Sequence, residues 1–399
     1  MRFPLWLLGL SLLAVAHTHA AAPVVTNVRA SQRAGTQLVD IYYNVSAATA
    51  TVKVFVQVSA DGGASFNVPA YTFTGAHGPG VTTGNDRLLT WNAGLDWGGQ
   101  FSTACRVRVF ADDGTSPPAP IGMAYIPPGT FQMGDNFYEG GTAELPVHNV
   151  FVSAFFMDKN LVNRETWLDV YSWAVGQGYG FNNGGSFTAN GYPVHTVNWY
   201  DAAKWCNARS RKAGLVPCYY TDATLTTEYR TGSLNLTNAC VKWDANGYRL
   251  PTEAEWEKAA RGGLQGKRFP TGDTISHTSA NYYSQSIAYD VSPTRGYHPT
   301  YGGATSPVGT FAANGYGLFD MDGNLFQWCW DWYDSSSYSR PEATNDPHGP
   351  AGTLFHRVVR GVWATHSGGA RLARCAARDS VNIPSNSGGD IGFRCVRGL

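Results

Sequence analysis

Hydrophobic and polar positions alternate through the first part of the chain. Val39-Asp-Ile-Tyr-Tyr-Asn-Val45 and Thr51-Val-Lys-Val-Phe-Val-Gln-Val58 have the period of half-buried strands. Ser59-Ala-Asp-Gly-Gly63 is a turn signal, and Cys105-Arg-Val-Arg-Val-Phe110 alternates again. Several short strands with Gly-rich turns predict that residues 23–118 form an all-β sandwich of the immunoglobulin or fibronectin type. The segment holds only Cys105, so no Cys…Trp…Cys framework is present. No catalytic groups gather here, and a spacer or adhesion module is the expectation. Asp112-Asp-Gly-Thr-Ser-Pro-Pro-Ala-Pro120 is Pro-rich and reads as a linker.

The pattern then changes. Met123-Ala-Tyr-Ile-Pro-Pro-Gly-Thr-Phe-Gln-Met-Gly-Asp135 predicts a strand, a Pro-Gly turn and a second strand, and 147–157 is β-like. Helical spacing runs from Asn163 to Val175. Asn198 is placed to cap a helix running to about Lys212 that carries Trp205 and Cys206. Thr252 and Glu255 form a capping box, with Trp256 facing inward. The fold class expected is α+β. Near the C-terminal third, Asn314–Tyr333 sets acids, an Asn and glycines ahead of a run of rings. Two readings stay open from the residues themselves. One is an Asx-turn followed by a buried aromatic strand; the other is an oxygen-rich loop around a hard cation such as Ca²⁺.

At 399 residues, with Lys+Arg and Asp+Glu equal at 29 each, the chain has a large core and no bulk charge. That balance excludes a nucleic-acid partner recruited by a basic field. Many glycines and rings with few charges point to irregular, loop-rich structure rather than long amphipathic helices. Residues 1–20 read as a signal peptide: Arg2, an apolar run over Leu5–Ala16, and small residues at Thr18 and Ala20. No apolar run is long enough to span a membrane. Export to the periplasm, cell surface or medium is expected. Disulfides are then permitted among seven cysteines, an odd number that leaves at least one unpaired within the chain. Cys218 and Cys240 bracket an insertion and are expected to pair locally.

Strung together, several motifs resemble the sulfatase-modifying-factor domain, whose founding member is the formylglycine-generating enzyme. They are Ile126-Pro-Pro-Gly-Thr-Phe-Gln-Met-Gly134, Pro193-Val-His-Thr-Val-Asn-Trp199, Arg249-Leu-Pro-Thr-Glu-Ala-Glu-Trp256, Asn314-Gly-Tyr-Gly-Leu-Phe-Asp-Met321, Gly323-Asn324 and Gly392-Phe-Arg-Cys395. Their order is the family's, and they cover residues 123–399. The resemblance implies a compact, irregular variant of the C-type-lectin-like fold. It also implies a Cys206–Cys395 disulfide. The family's second bridge would use Cys375, but Ala259 or Ala260 stands where its partner is expected, which leaves Cys375 free or re-paired, for instance with Cys329.

The family's oxidases hold Cu(I) between a pair of cysteine thiolates, the soft ligands that ion prefers. Matching the Arg360-Gly-Val-Trp and Cys375-Ala-Ala-Arg378 motifs puts Thr365 and Ala370 at those positions. Neither is a thiolate, so no catalytic residue and no copper are expected. Val362 stands where a substrate-contacting Ser is expected, and Phe326 replaces a Trp.

The resemblance implies structural Ca²⁺ on Asp320, the Gly323 and Leu325 carbonyls and position 327, which is Gln rather than Glu, and it favours the cation reading of the stretch. A second site would involve Asn281 and Tyr282, with Thr300 where an acid is expected.

The expectation is therefore an exported, non-catalytic binding scaffold with a groove near Phe326, Trp328, Trp363, His366 and Arg378. Its partner would be an extracytoplasmic protein, peptide or glycan. The alternative is an oxidoreductase of the same family with a rewired site, a metal at His366 or a thiol at Cys329 or Cys375. His148 and His195 read as structural histidines.

Overall fold

The alternating segments fold as strands in the computed structural model, which describes residues 23–63, 66, 68–114, 119–379 and 382–399. Residues 1–20, read above as a signal peptide, lie outside the described residues. One sheet orders β1 (Val24–Gln32), β2 (Leu38–Ser46), β6 (Gly84–Asn92) and β4 (Phe73–Gly75) side by side. The other orders β5 (Gly78–Thr82), β3 (Thr51–Ser59) and β7 (Arg106–Asp112), and a short helix, α1 (Ala93–Asp96), follows β6. Period-2 alternation sends Ile41, Tyr43 and Val45 of β2 into the same core as Val52, Val54, Val56 and Val58 of β3. Each such aliphatic side chain contributes about 1.5–3 kcal/mol when fully buried.

The two parts of the chain meet through rings. Phe55 and Phe110 pack on Phe151, with centroids 5.6 and 5.9 Å apart. Gly129 (φ +146°) lies under Phe55: a Cβ there would come within 3.3 Å of the ring. Beside the rings, the Gln57 amide donates to Asp346 (2.7 Å), which also accepts from the Ser153 N–H (2.6 Å) and hydroxyl. Hydrogen bonds to a charged carboxylate are the stronger kind, so this seam is both packed and fastened.

Beyond it, β8 (Met123–Ile126) and β9 (Gly129–Met133) flank the Pro-Gly turn but do not form a hairpin. β9 pairs with β10 (His148–Val152), whereas β8 joins β11 (Phe155–Asp158) in a sheet completed by β12 (Tyr248–Arg249) and β16 (Val396–Arg397). A third sheet centres on β13 (Phe326–Trp332), antiparallel to β14 (Arg357–Arg360) and parallel to β15 (Ile391–Gly392).

The helices begin where capping chemistry says they should. Asn163 accepts from the Thr166 N–H at the start of α2 (Arg164–Gly176), and Asn198 from the Asp201 N–H at the start of α3 (Trp199–Lys212). The Thr252/Glu255 capping box opens α4 (Glu253–Ala260), and α5 (Gly369–Leu372) is a single turn. Trp256 is fully buried on α4, and Trp167 stacks on Trp205 with centroids 5.8 Å apart. Arg357 lies between the faces of Trp199 and Trp332, 3.7 and 3.6 Å from their centroids, donating to the Trp330 and Leu236 carbonyls. No helix among the described residues is long and apolar enough to cross a membrane.

Candidate functional site

The segment matching the oxidase's copper site leaves β14 at Gly361, whose φ of +76° suits only glycine without strain. It passes Val362 and Trp363, turns at Thr365 and enters α5. Val362 and Ala370 are in the core, while Trp363, Thr365 and His366 are half-buried and reach the surface. Tyr297 and Tyr283 meet edge to face next to this turn, and a Cβ on Gly303 would sit 2.9 Å from the Thr365 methyl. A side chain on Gly369 would strike the Tyr283 carbonyl at 2.0 Å, so the ring pair and the α5 turn are in direct backbone contact.

The remaining thiols sit elsewhere. Cys329 and Cys375 are buried in an aliphatic and aromatic cluster. Burial pushes the Cys375 thiol up to about 12 and the Cys329 thiol well above its usual range. A buried thiol held in that form is a poor nucleophile and metal ligand, which weighs against the rewired-thiol alternative. Around His366, no group of three or more His, Cys, Asp or Glu converges among the described residues. All seven cysteines are unbonded in the structure. Cys206 and Cys395 nonetheless face each other with Sγ atoms 3.5 Å apart in the core, close enough that a small shift would reach bonding distance. Cys218 and Cys240 lie on adjacent backbone runs joined at Tyr219 and Val241.

Three members of the expected groove are structural instead. Trp328 is fully buried and donates its indole N–H to the Val197 carbonyl at 3.0 Å. Phe326 is buried, touching His366 edge-on at 5.3 Å. Arg378 is buried in a bidentate pair with Glu253 (2.7 and 2.9 Å) and donates also to the Ala143 carbonyl. Only Trp363 and His366 of that set remain accessible. The reason is charge: Arg378 belongs to a buried lattice in which Arg360 bridges Glu253 (3.1 Å) and Glu257 (2.6 Å), and Glu257 holds Arg261 at 2.6 Å. Buried ions survive only when paired in this way.

The aromatic half of Asn314–Tyr333 is the fully buried strand β13. Two of the four groups expected on a calcium ion there, Gln327 and the Gly323 carbonyl, are already engaged within the protein. The Gln327 amide nitrogen donates to the Asp320 carbonyl (2.8 Å), and its oxygen accepts from Trp256 Nε1 (2.9 Å) and Arg394 Nε (2.8 Å). The Gly323 carbonyl accepts from the Leu325 N–H at 3.0 Å. Arg394 thus supplies a fixed cation beside Asp320, and the ligand role expected of Gln327 does not fit. At the second expected site the Tyr282 carbonyl faces His277 Nε2 at 3.1 Å, while Asn281 Oδ1 is buried without a partner in the protein.

This arrangement is similar to a known group of proteins. Residues 110–399 match the family described as the sulfatase-modifying factor enzyme 1-like domain. The chain belongs to the sulfatase-modifying factor family. It is 34% identical over 289 residues to a formylglycine-generating enzyme of Streptomyces coelicolor, an alignment covering 69% of this chain and 88% of that one. It is also 34% identical over 267 residues to the chaperone protein LppX of Paenibacillus barcinonensis, covering 62% and 82%. Among solved structures, Treponema denticola variable protein 1 superposes with a TM-score of 0.52 at 29% identity, covering 69% of this chain and 95% of that one. The sulfatase-modifying factor fold therefore accounts for the mixed helices and strands behind the first two sheets.

Sequence reasoning passes over Asp331, a residue on β13 with no motif to mark it. Burial, then the neighbouring Glu253 carboxylate, pushes its acid up to about 8 from 3.8. An acid whose folded value is raised binds more protons in the native than in the unfolded state. Its contribution is therefore complete below about pH 4 and is lost as pH rises towards 8. Relative to Asp331→Asn, wild-type stability is expected to fall across that window, by at most about 1.4 kcal/mol per pH unit. Denaturant midpoints of both proteins at acidic, neutral and mildly alkaline pH check this; parallel pH profiles would refute it.

Proposed function

We propose that this member of the family is an exported, non-catalytic binding scaffold. One observation carries the reading: Thr365 and Ala370 occupy the positions where the oxidases need paired thiolates. Methyl and hydroxyl groups cannot hold Cu(I), and without it the cysteine-to-formylglycine oxidation has no electron acceptor path to O₂. The half-buried Trp363, Thr365 and His366 beside Tyr283 and Tyr297 remain as a surface of rings and polar tips, chemistry suited to a peptide, protein or glycan. The chaperone name of the Paenibacillus relative supports the idea that members serve roles other than oxidation. In this reading residues 23–118 are an immunoglobulin- or fibronectin-type spacer, residues 123–399 the scaffold, and residues 1–20 the export signal.

The test is anaerobic copper(I) loading of the purified chain, followed by oxygen uptake with a cysteine-containing sulfatase-type peptide. No stoichiometric copper and no uptake above the copper-only blank are expected. Stoichiometric copper with peptide-dependent uptake would sink the proposal. As a gain-of-function control, Thr365→Cys/Ala370→Cys is expected to retain Cu(I) through the assay wash where the wild type does not.

A further inference from the structure

A cleft of ≈ 460 Å³, counting its open mouth, lies between the first turn of α4, the end of β13 and the loop from Ser337 to Pro350. It is distinct from the Thr365 turn: neither Thr365 nor Ala370 lines it. Much of its wall is carbon, from Met133, Trp332, Pro347 and Pro350. Among the polar side chains lining the same space are Asp331 and His148.

Asp331 is only 4% exposed. Its Oδ2 accepts the Glu253 N–H at 2.7 Å, while Oδ1 lies over Gly349, close enough that a Cβ there would come within 2.7 Å. Glu253 next to it is neutralised by Arg378 and Arg360, whereas no ion pair to Asp331 is seen among the described residues. Two buried carboxyls with cations on one of them favour a neutral acid on the other. Oδ2 is already an acceptor, so the proton belongs on Oδ1, as a donor. His148 is the complement. Its Nδ1 lies 2.9 Å from the Pro146 carbonyl, which can only accept, so Nδ1 carries hydrogen; the tautomer with hydrogen on Nδ1 alone leaves Nε2 as a bare acceptor. That Nε2 is buried with no partner in the protein. A buried acceptor left open costs free energy unless something fills it.

We propose that this cleft binds a neutral carboxamide on a ring-sized group, its carbonyl accepting from Asp331 and its N–H donating to His148 Nε2. The ring would lie along Met133 and Trp332. A carboxylate would bring no hydrogen for His148 Nε2, which would stay unfilled. An ammonium would bring no oxygen to accept from Asp331 Oδ1.

Benzamide, benzoate and benzylamine share one shape and differ in charge, so they separate these cases. Titrated into the full chain at neutral pH, benzamide is expected to saturate with a Kd on the order of millimolar, fitting its few atoms. The two charged probes should bind about tenfold more weakly or worse. His148→Phe keeps a ring against Tyr338 and removes the acceptor, and should weaken benzamide about fivefold or more. In the wild type, the His148 Nε2 nitrogen resonance should move on saturation, a readout that needs no variant. Absence of saturable benzamide binding, equal or tighter binding of either charged probe, or an unmoved His148 resonance would overturn the proposal. None of these outcomes bears on the copper test, because the two sites share no residue.

Discussion

Glu257→Ala is expected to destabilise the chain by about 3–5 kcal/mol, the usual cost of stripping one partner from a buried ion lattice. Glu257 is fully buried on α4. Burial alone would raise its carboxyl, but Arg261, Arg360 and the Gly134 N–H outweigh that and hold it below the usual range. Removing it leaves the Arg261 and Arg360 guanidiniums short of charge, and Arg360 then leans on Glu253 alone, which already carries Arg378. The loss would spread through all three arginines. Chemical denaturation of the variant against wild type measures it. A change under about 1 kcal/mol, the range of exposed pairs, would show that the lattice does not carry the fold.

Lys258→Met should cost on the order of 3 kcal/mol, by a different mechanism. The Lys258 ammonium is buried, and no carboxylate among the described residues is in hydrogen-bond range of it. It donates to three backbone carbonyls, Pro127 (2.6 Å), Gly129 (3.0 Å) and Val152 (3.0 Å). Burial pushes it down to about 7. Three converging carbonyls oppose that shift, because only the ammonium has three hydrogens to give. Methionine fills the space and leaves three acceptors dry. The expected signature is a lowered denaturation midpoint, with Lys258→Arg intermediate. A Met variant as stable as wild type would mean that water or backbone shifts satisfy those carbonyls.

Local signals were the legible ones. Alternation located β2, β3 and β7, and side-chain caps at Asn163, Asn198 and Thr252 located three helix starts within a residue. The ordered motifs carried the family, because each is a backbone requirement written in few residues. Partners distant in sequence were not legible. Arg378 looks like a groove cation until Glu253, 125 positions away, is seen to hold it. Trp328 looks like a binding ring until its indole is found on Val197, 131 positions away. Gln327 looks like a weakened ligand until Trp256 and Arg394 are found to fill its oxygen. In each case the residue type advertised chemistry that the tertiary fold had already engaged. Asp331 and His148 were missed for the opposite reason: their open valences exist only once the fold has closed around them.

The seam between the front sheets and the rest of the chain has a mechanical meaning. Phe55 and Phe110 rest on Phe151, and Gln57 reaches Asp346. Gly129, which lies beneath Phe55, is also one of the carbonyls that Lys258 grips from α4. A tug on the front sheets is therefore delivered to a helix in the interior of the other part. The Pro-rich stretch between them would then carry little load, and the chain would tumble as one body. If the scaffold is displayed at a surface, its far face would point at a set angle to its anchor, as a bracket does, rather than sweep an arc like a bead on a tether.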